Sequence, residues 1–236
     1  MTDPTRTAIV AGIGPGLGGA LCRELTGAGY RVVGLARSAG PGEALLKALG
    51  PERFLPLACD LADAAQVDAA ISQAEDRFGP PGVYVHNAAR LHMQPFLETA
   101  PGDFAGHWRT TCLGAVHGAQ RVLPAMLATG EGALLFIGAT ASVKAGAQFA
   151  AFASAKFALR GLAQSLAREL GPQGIHVAHL LIDGVIWGER ARDQFQMARE
   201  QCLDPEAVAA SCLHWLQQQR SAWTHELDIR PDREGF

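Results

Sequence analysis

The sequence predicts an α/β fold in which one doubly wound parallel sheet carries helices on both faces. Short apolar runs alternate with longer amphipathic segments along the chain, which is typical of right-handed βαβ units. The apolar runs are continuous instead of alternating with polar residues, as expected for strands that are buried on both faces. No internal repeat, low-complexity tract or linker divides residues 1–236, so we expect a single domain.

Six apolar runs are predicted strands, and each is followed by a segment with helical character. After the first run, Leu17, Leu21 and Leu25 recur every four residues, which places them on one face of a helix. After the third run, Asp63 and Gln66 form a capping box that opens another helix. An alanine-rich helix is predicted over residues 149–170. The predicted strands cover residues 7–12, 31–36, 54–59, 83–88, 133–138 and 175–182.

The composition excludes several classes of protein. Hydrophobic residues make up 48% of the chain and the net charge is only −3, so the chain is not intrinsically disordered. The 27 glycines are dispersed without a period, which excludes collagen. No run of lysine or arginine is present, so we expect a small molecule as partner, with neither nucleic acid nor an anionic membrane.

The cysteines and the hydropathy of the chain indicate a soluble, cytoplasmic protein. The cysteines are scattered and odd in number, which favours reduced thiols buried as small apolar groups. The first residues contain no signal peptide, and no run approaches the ~18 apolar residues of a membrane span. The five cysteines are Cys22, Cys59, Cys112, Cys202 and Cys212.

A glycine-rich segment joins the first predicted strand to the first predicted helix. Residues 12–19 contain two overlapping patterns, G-x-G-x-x-G at Gly14, Gly16 and Gly19, and G-x-x-x-G-x-G at Gly12, Gly16 and Gly18. In both patterns glycine permits a tight turn and lets a pyrophosphate approach the amides of a helix N-terminus. An ordinary glycine-rich turn is the alternative, but the position between strand and helix favours a dinucleotide site of Rossmann type.

The end of the second predicted strand indicates which dinucleotide would bind. An NAD site carries Asp or Glu there for the ribose hydroxyl, but the chain continues Leu35-Ala36-Arg37-Ser38. The guanidinium of Arg37 can pair with a 2′-phosphate through charge-assisted hydrogen bonds. We therefore predict NADP (NADPH) as the cofactor, with a solvated arginine as the alternative interpretation of Arg37.

Together these features resemble the short-chain dehydrogenase/reductase family from Thr7 to about Pro231. The segment His86-Asn87-Ala88-Ala89 resembles the N-N-A-G segment of the family, and Phe152-Ala-Ser-Ala-Lys156 is similar to its Y-x-x-x-K motif. Asp183-Gly184 stands where the family usually has Pro-Gly. The resemblance implies a Rossmann-type fold and hydride transfer between NADP and a small carbonyl or imine substrate.

The resemblance also implies a set of cofactor contacts. Asp60 matches the acidic residue that the family places near the adenine amino group, although it would also suit a turn cap. No metal site is predicted. The implied cofactor residues are Gly12, Gly14, Gly16, Leu17, Gly18, Arg37, Asp60, Leu61, Asn87, Ala88, Lys156, Gly184 and Val185.

The catalytic positions depart from the family pattern. The family uses Tyr as acid or base, Ser to hold the carbonyl oxygen, Lys to bind ribose and lower the pKa of the Tyr, and often Asn in a water relay. By the resemblance, Phe152 stands for the Tyr, Ala139 for the Ser and Thr111 for the Asn, while Lys156 is kept. Loss of the general acid alone is expected to cost roughly 10²–10⁴ in rate.

The other groups that could take over the proton transfer are few. The chain has two tyrosines, Tyr30 and Tyr84, and both lie in the predicted scaffold. His92, in the loop after the fourth predicted strand, titrates in a useful range and would lie on the substrate side, or it is an ordinary surface histidine. We predict Lys156, Thr111 and His92 as catalytic residues. The hydroxyls of Thr140 and Ser142 are further candidate donors, or they only cap the turn.

The altered site leaves several functions open. An iminium substrate accepts hydride without needing a proton, so it would suit a site that lacks Tyr and Ser. The rival is a non-catalytic NADP-binding or regulatory protein on the same fold, for which Phe152 and Ala139 are the evidence. A third possibility is non-redox chemistry such as isomerisation or elimination.

The remaining polar and aromatic residues point to structure. His176 and His179 lie three apart on a predicted strand, so they face opposite sides and cannot share a metal. The aromatic residues Phe104, Trp108, Trp215 and Trp223 are expected in the core or in contacts between subunits. The helix over residues 149–170 resembles the helix through which family members associate, which implies a homodimer or homotetramer.

Overall fold

The computed structural model describes residues 7–233, and one seven-stranded parallel sheet runs through them in the order β3-β2-β1-β4-β5-β6-β7. The strands are β1 (Thr7–Ala11), β2 (Arg31–Ala36), β3 (Phe54–Ala58), β4 (Val83–His86), β5 (Gly132–Ile137), β6 (Ile175–Ile182) and β7 (Glu226–Ile229). The helices are α1 (Leu17–Gly27), α2 (Gly40–Leu49), α3 (Ala64–Phe78), α4 (Pro101–Trp108), α5 (Gly114–Thr129), α6 (Ala150–Leu170) and α7 (Pro205–Leu216).

Helices cover both faces of the sheet. Ala8 and Val10 of β1 pack in a core cluster with residues of α1 and α7, whereas Ile9 and Ala11 pack in a second cluster with residues of α3, α5 and α6. This alternation follows from the two-residue period of a strand. The chain therefore has the single-domain, doubly wound α/β fold that the sequence predicts.

All six predicted strands are present, and β2 and β6 have the predicted bounds. The seventh strand, β7, was not predicted. Its four residues, Glu-Leu-Asp-Ile, alternate polar with apolar side chains and include no apolar run. Because β7 lies at the edge of the sheet beside β6, half of its side chains face solvent, and the pattern of a buried strand is absent.

The predicted helix starts are confirmed with two differences of detail. Leu17, Leu21 and Leu25 are buried on the inner face of α1. At α3, the Asp63 carboxylate accepts hydrogen bonds from the amides of Ala65 and Gln66, as a cap should. In a standard capping box the side chain of Gln66 would accept from the amide of Asp63. Here Oε1 of Gln66 accepts from the amide of Asp60 instead. Helix α6 begins one residue later than predicted.

Several expectations about individual side chains are also decided. All five cysteines are buried thiols, as predicted. His176 stacks on Trp215 and Trp223 while His179 contacts Ser142 on the opposite face of β6, which confirms their opposed directions. Trp215 is fully buried in the core, whereas Trp108 is 44% exposed. For Trp108 a contact between subunits stays a prediction.

Neither a membrane span nor a metal cluster is found between residues 7 and 233. No helix in that range is long and apolar enough to cross a bilayer. In the same range no group of three or more His, Cys, Asp or Glu side chains is arranged to hold a metal ion.

The contact between α5 and β4 tolerates no side chain at Gly118. A Cβ added there would lie 2.0 Å from the hydroxyl oxygen of Tyr84, which is fully buried. We expect Gly118→Ala to lower the free energy of unfolding by about 1–3 kcal/mol, because the overlap forces the ring or the helix to shift. Urea denaturation would measure it.

Gly161→Ala is the matched control, since Gly161 also lies inside a helix but a Cβ there meets no atom within 4 Å. It should raise the free energy of unfolding by about 0.5–1 kcal/mol, because glycine is a poor helix residue. Equal shifts for the two variants would contradict the packing argument.

Candidate functional site

The turn after β1 is pressed against the end of β4. Gly12 follows β1 with φ +101°, and a Cβ there would lie 2.6 Å from the amide nitrogen of Ala88. A Cβ at Gly18 would lie 2.4 Å from the carbonyl oxygen of Gly12. Neither position can hold a larger residue without moving the backbone, so these two glycines are required by the shape of the turn.

The other glycines of the turn divide into two kinds. Gly19 is also tight, because its Cβ would lie 2.6 Å from the carbonyl oxygen of Gly14, whereas a Cβ at Gly14 or Gly16 would meet no atom within 4 Å. The two sequence patterns therefore overlap in one turn. Gly12, Gly18 and Gly19 close it, and Gly14 and Gly16 leave open space beside it.

Asn87 ties this turn to β4. Its Nδ2 donates to the carbonyl oxygen of Gly12 at 2.7 Å, and its backbone amide donates to that of Ala11 at 2.8 Å. Helix α1 begins at Leu17, and no side chain caps it. The first amides of a helix are ready donors to an anion when no side chain takes them.

The carboxyl ends of β2 and β3 carry the next predicted residues. Arg37 directly follows β2, is exposed, and forms no ion pair within residues 7–233. Asp60 follows β3, and its carboxylate accepts from the amide of Ala62 at 3.0 Å, as a turn cap does. Leu61 is buried, and its carbonyl accepts from Nδ1 of His117 at 3.1 Å.

Lys156 is buried in α6 with only 3% of its surface exposed. Its Nζ donates to the carbonyl oxygen of Ile137, the last residue of β5, at 2.6 Å. Removal from water disfavours the ammonium form and lowers the pKa of Lys156 to about 7. Lys156 is therefore not a solvated residue on the outer face of the helix.

Phe152 lies one helical turn before Lys156 on the same face of α6. Its ring centroid is 5.8 Å from Nζ of Lys156, and the ring is largely buried. It packs in a small apolar cluster with Ala141 and Ala153, which Leu91, Ala139 and Phe149 complete. The side chain facing Lys156 is thus a hydrocarbon ring that can neither donate nor accept a proton.

The two hydroxyls beside Ala139 are both engaged. The Oγ of Ser142 is fully buried, accepts from the amide of Ala139 at 3.2 Å and hydrogen-bonds Nε2 of His179 at 3.1 Å. Thr140 donates its hydroxyl to the carboxylate of Asp183 at 2.6 Å. Ser142 therefore caps the turn, as the second interpretation proposed, and Thr140 joins the loop after β5 to the end of β6.

Two fully buried polar side chains lie at the end of β4 and just before α5. Thr111 sits in a π-helical turn, Arg109–Leu113, and its Oγ1 has no hydrogen-bond partner in the described part of the chain. His86 ends β4, with Nδ1 3.2 Å from the Tyr84 hydroxyl. Burial, together with the nearby charge of Lys156, lowers the pKa of His86 to about 3, so its ring is neutral.

His92 lies in the segment between β4 and α4 and is half-buried. Its Nε2 is 2.7 Å from Oε1 of Gln94. A second imidazole, that of His107 in α4, lies beside it with ring centroids 5.4 Å apart.

The chain is similar to known proteins in both sequence and structure. A family model described as short chain dehydrogenase matches residues 6–186. The chain belongs to the short-chain dehydrogenase family. Among its relatives are D-erythrulose reductase of Gallus gallus, 36% identical over 73% of this chain and 68% of that protein, and D-threitol dehydrogenase of Mycolicibacterium smegmatis, 30% identical over 73% and 67%. A solved short-chain dehydrogenase from Rhodopseudomonas palustris is 34% identical, covers 97% of this chain and 100% of its own, and superposes with a TM-score of 0.82.

In this short-chain dehydrogenase the last two predicted cofactor residues lie beyond the carboxyl end of β6. Gly184 and Val185 are separated from β6 by Asp183, and the carbonyl of Val185 accepts from the amide of Leu203 at 2.9 Å. A separate cavity of about 370 Å³ lies at the amino ends of the strands, and Tyr30, His176 and Trp223 are among the residues that line it. None of the predicted site residues lines that cavity.

Sequence reasoning missed His86, His107 and the engagement of Ser142 by His179. The signal for His86 was present, since it is a polar residue at the end of a continuous apolar run. His107 gave no signal, because its burial depends on how α4 packs beside the loop that carries His92.

Burial of Lys156 predicts a pH-dependent stability. Its pKa falls from 10.5 to about 7 on folding, so between these values the unfolded chain binds more protons and the stability of the wild type rises with pH. Lys156→Met removes that rise. We expect the free energy of unfolding of the wild type to gain on the variant by at most about 1.4 kcal/mol per pH unit from pH 7 to 10.

Urea denaturation of both proteins at pH 7, 8 and 9 would measure this difference. Lys144→Met, which changes an exposed lysine, should instead run parallel to the wild type. Parallel curves for Lys156→Met would show that Lys156 is hydrated in solution.

Proposed function

We propose that this chain is an NADP-dependent oxidoreductase that transfers hydride between the nicotinamide and a small carbonyl or imine substrate, at a site without the usual Tyr and Ser. The observation that carries the proposal is the pairing of the closed glycine turn after β1 with Arg37 after β2. The turn offers uncapped amides at the start of α1, and the neighbouring strand end offers a cation with no carboxylate partner in the described residues.

The residues present suit a dinucleotide. Gly14 and Gly16 leave the turn open on the side where a side chain would otherwise stand, so a pyrophosphate could approach the backbone there. Arg37 would pair with a 2′-phosphate, while Asp60 and Leu61 would border the adenine. Asn87, Ala88, Lys156, Gly184 and Val185 would hold the ribose and nicotinamide half.

NADPH, when bound, supplies the hydride. Lys156 would bind ribose hydroxyls from its buried position, and its carbonyl contact to Ile137 would fix its direction. Phe152 supplies no proton, so the rate depends on another donor or on a substrate that needs none. Thr111 and His92 are the predicted catalytic residues that remain, and His92 has the more accessible side chain.

The names of the relatives suggest which carbonyl compounds to test. The proteins at 30% identity or more include reductases or dehydrogenases named for D-erythrulose, D-threitol and L-xylulose. These are small polyhydroxylated molecules. We therefore place ketoses and polyols first in a substrate panel, followed by simple ketones and cyclic imines.

The cofactor proposal predicts the effect of removing Arg37. Calorimetry should show that Arg37→Leu weakens NADPH binding by roughly 10–100-fold, because a charge-assisted hydrogen bond to the phosphate is worth about 1.5–3 kcal/mol. NADH, which lacks that phosphate, should bind both proteins alike. Arg53→Leu is the matched control, since Arg53 is exposed at the opposite edge, just before β3.

If the Arg37→Leu protein still prefers NADPH, a residue other than Arg37 binds the 2′-phosphate. If the wild type binds neither NADPH nor NADH, the proposed function is wrong.

A specific observation favours the rival, a non-catalytic protein on this fold. The Phe152 ring packs into an apolar cluster at the position facing Lys156, and both hydroxyls beside Ala139 are already hydrogen-bonded. A protein that only binds NADP would have no need of a donor there. It would bind NADPH without turnover of any substrate.

The double variant Ala139→Ser with Phe152→Tyr separates these two functions. An enzyme with a weak substitute donor should gain roughly 10²-fold or more in the rate of ketone reduction, because a general acid and an oxyanion donor are restored. A protein that only binds NADP should gain activity where the wild type has none. NADPH oxidation monitored by absorbance would measure both.

The control is Ala139→Ser with Phe149→Tyr, which adds the same hydroxyls but places the phenol on the neighbouring ring, 6.4 Å from that of Phe152. It should leave the rate unchanged. A gain in the control as large as in the test variant would mean that the position of the phenol is not decisive.

A further inference from the structure

Few side chains can serve as the proton donor, because most of the polar side chains near Phe152 are already hydrogen-bonded or buried. Thr140 gives its hydroxyl hydrogen to Asp183, and Ser142 is fully buried against Ala139 and His179. Thr111 is fully buried as well, and Lys156 is nearly so. Of the candidate donors that the sequence singled out, His92 and Thr140 are partly exposed, and the hydroxyl hydrogen of Thr140 is already taken by Asp183.

The segment that carries His92 is held beside Phe152. The amide of Gln94 donates to the carbonyl of Gln148 at 2.9 Å, which joins the segment to the residues just before α6. Leu91 packs against the cluster that contains Phe152. His92 follows Leu91 directly, so the segment that contacts this cluster also carries His92.

His92 and His107 each have one ring nitrogen committed. A carbonyl or amide oxygen can only accept, so His92 Nε2 carries the hydrogen that it donates to Gln94, and His107 Nδ1 carries the hydrogen that it donates to the carbonyl of Asp103 at 2.7 Å. The other nitrogen of His107, Nε2, is therefore a bare acceptor. It is buried and has no partner among residues 7–233.

The neighbour of this bare acceptor is the ring of His92, with centroids 5.4 Å apart and planes tilted by 51°. A buried acceptor without a donor costs free energy. A hydrogen on Nδ1 of His92 would provide the missing donor once that nitrogen faces His107. The two imidazoles thus complement each other when His92 carries a hydrogen on Nδ1.

We propose that His107 is a positioning residue for a proton-donating His92. This inference rests on the function proposed above. His107 Nε2 accepts the Nδ1 hydrogen of the His92 imidazolium, which leaves the Nε2 hydrogen of His92 directed at the substrate in place of Gln94.

The reaction balances with this pair. Hydride from the dihydronicotinamide of NADPH adds to the carbonyl carbon, the carbonyl π pair moves to oxygen, and the oxygen takes the Nε2 proton of His92. His92 becomes neutral with its remaining hydrogen still on Nδ1, held by His107. The cofactor is oxidised to NADP⁺, the carbonyl is reduced to an alcohol, and solvent reprotonates His92.

The kinetic test compares three histidine variants by NADPH oxidation with a ketose. His92→Gln should lower kcat by roughly 10²-fold or more, since it removes a general acid. His107→Gln should lower kcat about 10-fold with KM changed little, as is usual for a partner that orients another group. Its solvent deuterium isotope effect should rise, because proton transfer becomes slower.

His225→Gln is the matched control. His225 shares the arrangement of His107, with Nδ1 donating to the carbonyl of Val177 at 3.1 Å and a buried Nε2 that has no partner in the described chain. It lies before β7, away from His92. Its variant should keep the kcat, the KM and the isotope effect of the wild type. Equal losses in His107→Gln and His225→Gln would overturn the positioning role.

A second readout does not depend on turnover. In the cofactor-free protein, nitrogen-15 spectra of the imidazoles should show His107 protonated at Nδ1 and bare at Nε2. His107→Gln should shift the ring resonances of His92, and His225→Gln should not. Protonation of His107 at Nε2, or His92 resonances that ignore His107→Gln, would overturn the pairing.

The two proposals can fail separately. If the wild type binds NADPH but turns over no substrate, the proposed function and the donor role of His92 both fall, while the spectra still decide whether the rings are paired. If turnover is present and His92→Gln retains it in full, the oxidoreductase stands and the donor lies elsewhere.

Discussion

The contact between the turn after β1 and the end of β4 governs the rest of the site. The strand order reverses between these two strands, so the chain segments that follow them diverge and open a crevice at the carboxyl edge. The floor of that crevice is fixed where Gly12 meets Ala88 and where Asn87 donates to Gly12. Helix α1 starts directly from this floor, so its uncapped amides are aimed by backbone packing alone.

On the other side of the crevice the polar side chains are buried or partly buried, and each of those named next is hydrogen-bonded within the protein. Lys156 is held by the carbonyl of Ile137, Ser142 by Ala139 and His179, and Thr140 by Asp183. Such fixed hydrogen bonds preorganise a surface but also remove its hydroxyls from chemistry. Under the proposed function these residues would orient the cofactor, and the proton would come from the loop that carries His92.

Periodicity and glycine spacing were enough to predict the sheet, its first six strands and the turn after β1, because buried parallel strands and a closed βα turn impose strong local patterns. They could not predict β7, whose alternation is that of an edge strand. Nor could they predict that Ser142 is covered by His179, since that contact joins two distant strand ends. The pair of His92 and His107 was equally invisible, because it depends on where α4 packs and not on any spacing.

An ion pair of 3.3 Å between Asp183 and Arg230 joins the end of β6 to the residue that follows β7. Asp183 lies inside the matched span of residues 6–186 and Arg230 lies beyond it, just after β7. Asp183 also receives Thr140, and its amide donates to the carbonyl of Ile229. The part of the chain that matches the family model is therefore tied, at the end of β6, to residues that lie outside the match. A substitution at Arg230 could loosen this side of the crevice without touching any motif that identifies the family.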